Sequence, residues 1–208
     1  MTGKEKLIFT EDAIYTDPTV RDGEFIMHAG EKEMMDRFAE VATLNGGDIL
    51  EFGFGMHLSA DAVQRNPSVN SHTIIEIHPE IYERAIEWAK DKPNTKILLG
   101  NWVDILPSIN RKFDGILNDT HLDNNMDVFL ESIKPLCKKN CIVTHFHLSR
   151  PDQRFDSATF KIEKFDLLPE WIKKTWWCNR ETEEIEIFYT RFNGYNFNHK
   201  ENTEKTLI

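Results

Sequence analysis

The stretch Ile49-Leu50-Glu51-Phe52-Gly53-Phe54-Gly55-Met56 decides how the rest of the chain reads. A short apolar strand, Asp48 to Phe52, ends on two glycines one residue apart, after which Met56, Ala60 and Val63 recur at the spacing of one helix face. Pro67 lies just beyond that helix. Strand, glycine turn and helix in this order make the first half of a βαβ unit, the building block of parallel sheets. Glycines let the backbone approach a bound ligand closely, and the helix N-terminus offers free N–H groups.

The same alternation extends in both directions. Upstream, a helix begins at about Glu31, carries Met34, Phe38, Val41 and Ala42 on one face, and stops at Asn45-Gly46-Gly47. Downstream, Thr73 to Ile77 makes a second strand, and His78-Pro79 opens a helix with Ile81, Ala85, Trp88 and Ala89 in register, the proline fitting the first helical position. Lys96 to Leu99 and Phe113 to Leu117 follow as strands, the latter running into Asn118-Asp119-Thr120-His121. Met126, Phe129, Leu130 and Ile133 mark a helix that must end before Pro135, and Cys141 to Thr144 makes a fifth strand. After Pro151 the pattern changes, and strands around Thr175 to Cys178 and Glu184 to Phe192 read as an antiparallel hairpin. The expectation is an α/β chain: one doubly wound, Rossmann-like domain over residues 31–195, preceded by an N-terminal segment 1–30 placed to act as a lid and followed by a polar tail, 196–208.

Composition narrows the function classes. A length of 208 residues favours one domain, and 40% hydrophobic with 29% charged residues is the balance of a folded globular chain rather than a disordered or fibrous one. Asp and Glu outnumber Lys and Arg 35 to 25, a net charge of −10, so the chain lacks the positive field of a nucleic-acid binder and suits a small, cationic ligand. Cys137, Cys141 and Cys178 lack paired metal-ligand spacing and read as reduced thiols, which with the charged stretch Met1 to Tyr15 points to a cytoplasmic protein. No apolar run is long enough for a bilayer, so no membrane partner is expected; a monomer and a homodimer fit equally.

Two carboxylates stand at strand ends. Glu76 closes the second strand, where doubly wound folds place the acid that accepts hydrogen bonds from ribose hydroxyls. The third glycine of a dinucleotide motif would fall at Leu58, which removes the close approach a pyrophosphate needs and favours S-adenosylmethionine instead. Asp119 follows the fourth strand, on the sheet edge where open α/β folds bind ligands, and can hold or deprotonate a cationic nitrogen; the competing reading makes it a cap for the next segment. His145 and His147, two apart on a strand end, could join His121 around a metal, but imidazoles do not suit magnesium, and a substrate-lining role with no metal is preferred. Trp171, Trp176 and Trp177 read as packing residues.

At this point Ile49 to Met56, Ile74-Ile75-Glu76, Gly100-Asn101-Trp102-Val103-Asp104 and Phe113 to Thr120 together resemble the guanidinoacetate N-methyltransferase family and its arginine N-methyltransferase relatives, over about Glu31 to Arg150. The resemblance implies a class I methyltransferase fold, a seven-stranded mostly parallel sheet binding S-adenosylmethionine, and releasing S-adenosylhomocysteine, above its carboxyl edge. It assigns the ribose to Glu76, the methionine part to the loop Glu51, Gly53, Phe54, Gly55 and Met56, the adenine side to Ile77, Asn101 and Trp102, and further cofactor contacts to Met35 and Asp119. It also implies a guanidino acceptor clamped by Glu31 and Asp119, flanked by Thr120, His121, His145 and His147, with Leu148, Ser149 and Arg150 holding a substrate carboxyl group. Such a division suits the chemistry, because a guanidinium is a poor nucleophile that paired carboxylates can orient bidentately and deprotonate, with Asp119 as base and Glu31 as partner.

The chain departs from the family at His121, His145 and His147, where the family carries tyrosine, tyrosine and asparagine, and at Val103, where it carries an acid. The leading expectation is therefore an S-adenosylmethionine-dependent N-methyltransferase of a small guanidino compound. One alternative is a methyltransferase of another small amine or hydroxyl metabolite that uses the histidines; another is a non-catalytic S-adenosylmethionine-binding regulator.

Overall fold

The computed structural model describes residues 3–17, 19, 25–120, 126–146, 158–166 and 184–192. Five parallel strands form its centre: Gly47–Phe52 (β4), Val69–Glu76 (β5), Thr95–Leu99 (β6), Phe113–Asn118 (β7) and Cys137–Phe146 (β8), in the order β6-β5-β4-β7-β8. That order, with neighbours on both sides of β4, is a doubly wound arrangement whose topological switch point lies between β4 and β7. Strand ends differ from the sequence reading by a few residues. The largest differences are β5, which starts at Val69 rather than Thr73, and β8, which starts at Cys137 rather than Cys141.

Helices cover both faces. Lys32–Ala42 (α1), Leu58–Arg65 (α2) and Pro79–Ala89 (α3) lie on the face of Ile49 and Ile74, with Met34, Met35, Phe38, Val63, Ile81 and Ala85 buried beneath them. Trp102–Ile105 (α4) and Met126–Ile133 (α5) cover the face of Leu50, Phe52 and Ile116, where Phe129, Leu130 and Ile133 pack. Phe38, Phe52, Phe113 and Phe129 are all but fully buried, each contributing about 2 kcal/mol or more of transfer free energy.

At the other edge Glu184–Phe192 (β10) pairs antiparallel with both β8 and Ala158–Asp166 (β9). The sequence reading marked β10 but expected its partner at Thr175 to Cys178, which lies outside the described residues; the strand that pairs with it here is β9. Its sequence Ala-Thr-Phe-Lys-Ile-Glu-Lys-Phe-Asp alternates apolar and polar residues, the pattern of a strand with one solvated face.

Among the described residues of the N-terminal segment, three short strands form a second small sheet. Leu7–Phe9 (β1), Ala13–Thr16 (β2) and Phe25–His28 (β3) pair antiparallel. Leu7 and Ile14 are buried with Phe54, Ile74 and Ile81, so this sheet shares the core of the main domain. His78 ties the two together: its Nδ1 accepts the Glu80 N–H, leaving Nε2–H to donate to the Glu5 carbonyl at 2.7 Å. No helix among the described residues is long and apolar enough to cross a membrane.

Candidate active site

The glycine loop leaves β4 between two neighbouring strand ends: Gly53 N–H donates to the Ile75 carbonyl at 2.9 Å, and Asp119 N–H to the Phe52 carbonyl at 3.2 Å. Gly53 and Gly55 have φ of 85° and 50°, the left-handed region that favours glycine. A Cβ on Gly53 would stand 3.2 Å from Thr120 Cγ2, and one on Gly55 would stand 2.6 Å from Met27 Sδ. Met27, on β3, also accepts the Met56 N–H at 3.2 Å, so the small sheet seals one side of this turn.

Glu76 is held by the same turn. Phe54 N–H donates to its Oε2 at 2.9 Å and His78 N–H to its Oε1 at 2.7 Å. The carboxyl is 4% exposed, and burial raises its pKa despite those donors. Each oxygen retains a lone pair for a hydroxyl. Beside it the chain turns again at Gly100, whose N–H reaches the Glu76 carbonyl at 2.8 Å, and Asn101 caps α4 by accepting the Val103 N–H at 3.1 Å. Trp102 packs edge-on against Phe52 and Phe129, with ring centroids 6.4 and 5.6 Å away. Ile77 is half-buried, its carbonyl under Gly3.

Glu51 lies on the opposite face of β4 from Phe52, wholly buried. Its Oε1 accepts the Ser59 hydroxyl, and its Oε2 pairs with His72 Nε2 at 2.7 Å. Glu31 closes a 3-10 turn, Ala29–Glu31, whose capping box is complete: His28 Nδ1 accepts the Gly30 N–H at 2.9 Å, and Glu31 Oε1 accepts the His28 N–H at 2.8 Å. Against that single donor, burial raises the Glu31 pKa to about 7. Asp119 is half-buried, and crowding of its carboxyl group by protein, followed by the charges of Glu31 and Glu51, pushes its pKa well above the carboxylate range. Three acids from the 3-10 turn, β4 and the end of β7 thus share one neighbourhood.

Other residues singled out by the sequence fall as follows. Met35 is fully buried in the core beneath α1 with Phe38 and Leu117. Thr120 is half-buried and its hydroxyl donates to Asn118 Oδ1 at 2.7 Å. His145 is fully buried, and its register opposite Asn118, itself opposite Phe52, sets it on the far face of the sheet from Glu51. His121, His147, Leu148, Ser149 and Arg150 lie outside the described residues. Two buried polar atoms without partners, Asn118 Nδ2 and Thr144 Oγ1, stand near the carboxyl ends of β7 and β8, the same edge as the acids. Among the described residues no cluster of His, Cys, Asp or Glu is arranged to hold a metal ion.

Sequence reasoning missed Met27, Ser59, His72 and His78. His72 carried a signal, since a histidine on a central strand covered on both faces needs a buried partner. Met27 carried none while the small sheet was unread.

Comparison with known proteins places the fold and the family. The sequence profile of guanidinoacetate N-methyltransferase matches residues 15–137. Proteins named protein arginine N-methyltransferase 2 from Yarrowia lipolytica and Candida glabrata are 31% and 33% identical, each over 60% of this chain. The chain spans only 28% and 32% of their lengths. Among solved structures, spermidine synthase from Thermotoga maritima superposes with a TM-score of 0.61 at 13% identity, covering 89% of this chain and 72% of that one. The O-methyltransferase TomG from Streptomyces achromogenes, solved with S-adenosylmethionine, gives 0.57 at 16% identity, covering 81% and 82%. The latter two share the fold; the profile match over more than half of the sequence shows that the chain belongs to the guanidinoacetate N-methyltransferase family.

Proposed function

We propose that this chain is an S-adenosylmethionine-dependent N-methyltransferase whose acceptor is a guanidino group on a small molecule. The observation that carries the acceptor half is the juxtaposition of Glu31 and Asp119: burial raises the pKa of both carboxyls, and at Asp119 the charges of Glu31 and Glu51 add to it. Like charges in a buried site hold protons instead of ionising together. A planar guanidinium supplies the missing positive charge and forked donors for both acids.

The cofactor half fits S-adenosylmethionine. Glu76 is fixed by two backbone N–H groups with lone pairs left for a ribose diol, and the turn beside it runs through Gly53 and Gly55 at left-handed φ, where a Cβ would crowd Thr120 and Met27. Asn101 and Trp102 would flank the base, and Glu51, Phe54, Met56 and Ile77 the remainder. When bound, the group supplies a methyl carbon made electrophilic by a sulfonium. Glu31 would orient the acceptor, and an Asp119 carboxylate oxygen would take the proton lost by the attacking nitrogen. Tying one face of the guanidinium to the acids leaves its free nitrogen directed at the methyl, an advantage of positioning rather than of basicity alone.

The test is release of S-adenosylhomocysteine with guanidinoacetate, other guanidino acids, arginine, arginine-containing peptides and simple amines. Turnover confined to guanidino compounds is expected, with small acids ahead of peptides. Peptide turnover alone would move the acceptor to protein arginine, and cofactor binding without any guanidino turnover would refute the acceptor assignment.

A further inference from the structure

Glu51, so far given only a place beside the cofactor, forms a buried pair with His72, which the reaction as described does not use. Both are 0% exposed. The pair ends a continuous chain of side chains across four elements. Thr95 on β6 accepts from Gln64 Nε2 on α2 at 3.1 Å, and the same amide nitrogen lies 3.2 Å from His72 Nδ1 on β5. An amide nitrogen only donates, so Nδ1 is the acceptor and Nε2 carries the proton given to Glu51 Oε2. Ser59 Oγ–H takes Glu51 Oε1, and the Trp88 ring from α3 meets the imidazole edge-on at 6.5 Å.

We propose that His72 is a positioning residue for the acceptor site: it holds the Glu51 carboxyl group through Nε2–H, and Glu51, opposite Leu117 in the β4–β7 register, shares its sheet face with Asp119 two residues further on. The proposal rests on the reading of Asp119 as the proton acceptor. A merely structural role is a poor account of the pair, because an apolar pair of similar volume would pack there without the desolvation cost of a buried charge. A fully satisfied polar network, by contrast, fixes one geometry. The charged groups facing Asp119 are Glu31 from the 3-10 turn and Glu51 from β4, and both raise its proton affinity. Glu31 is free to lose its charge to a proton or to the acceptor. Glu51, with the Ser59 hydroxyl and His72 Nε2–H on its two oxygens, is fixed in one position relative to Asp119, whose proton affinity its charge raises.

The experiment reads Asp119 directly, by 13C-carboxyl titration of the whole chain without substrate, in the wild type, His72→Leu and His72→Gln. Leucine removes the donor to Glu51, so the Asp119 midpoint should fall by about half a pH unit or more. Glutamine can still donate and should restore most of the wild-type midpoint. The acidic limb of kcat/KM should move the same way in His72→Leu, with KM for S-adenosylmethionine within about twofold. An unmoved Asp119 midpoint in folded His72→Leu overturns the proposal, as does an equal fall in both variants. If His72→Leu does not fold, Gln64→Leu at the half-buried end of the network removes the donor to Nδ1. The 15N signals of His72 should then lose the pure Nε2–H tautomer and the Asp119 midpoint should follow; a lost tautomer with an unmoved midpoint also overturns it. Expected midpoint shifts without turnover of any guanidino compound would leave His72 in its role and defeat the acceptor reading alone.

Discussion

Glu76 and Asp119 end neighbouring parts of one sheet edge, yet they are satisfied in opposite ways. Glu76 has two backbone N–H donors supplied by the turn and the helix cap beside it. Asp119 has Glu31 and Glu51 as charged neighbours, both of its own sign. A carboxylate fixed by backbone donors is a ready acceptor for neutral hydroxyls, whatever occupies the rest of the site. A carboxyl among other acids waits for a positive charge and stores its affinity for one. On the proposed function, the cofactor end is complete in the protein alone, while the acceptor end is completed by its ligand.

The sharpest way to break this contrast is to neutralise one acid at each end. Asp119→Asn removes the proton acceptor while keeping shape, and turnover should fall by about 10²–10⁴-fold. Cofactor affinity measured by calorimetry should stay within a few fold, and retained turnover would end the assignment of Asp119 as base. Glu76→Ala should do the reverse. Losing charged hydrogen bonds to the ribose should weaken S-adenosylhomocysteine about 10–100-fold, with kcat at saturating cofactor largely kept.

Glu31 makes the contrast visible in stability. Its folded pKa, about 7, lies above the ordinary glutamate value of 4.5, so the folded state keeps a proton that the unfolded state releases. Its contribution to stability is complete below pH 4.5 and is lost as pH rises through 7. Glu31→Gln, which still accepts the His28 N–H, should match the wild type near pH 4 and melt a few degrees higher near pH 8, by roughly 3 °C or more. Turnover should drop at the same time, a stability gained at the expense of the site. Equal melting temperatures at both pH values would show that Glu31 is not held protonated. The smallest effect belongs to Gly55→Ala, where a left-handed φ and the Met27 sulfur oppose the new methyl. About 1 kcal/mol of backbone strain should weaken cofactor binding several fold without moving the pH profile.

The same contrast explains what the sequence made legible. The parallel core could be read because each unit carries its own punctuation: apolar strand, glycine or proline, then 3.6-residue periodicity, as at Leu50 to Val63. Glu76 could be placed because its position follows from the strand it ends. The antiparallel parts were harder. β1 to β3 are strands of three or four residues whose pairing depends on packing against Phe54 and Ile81, contacts that local pattern does not encode. β9 is hard to read because Lys164 breaks its alternation after Glu163 and shifts Phe165 out of phase. Asp119 and Glu31 were paired only through resemblance, since 88 residues separate them and only the fold brings a 3-10 turn to the end of β7. His145 looked like a pocket residue by its place at a strand end, while the sheet register sets it on the far face from Glu51.

If Glu31 and Asp119 clamp a guanidinium, the acceptor end exchanges protons for a cation. Calorimetry of guanidinoacetate binding near pH 7, with S-adenosylhomocysteine present and in buffers of different ionisation enthalpy, counts the protons exchanged. Release of about one proton per acceptor bound, lost in Asp119→Asn, is the result predicted. Binding with no proton released, or with protons taken up, would contradict it.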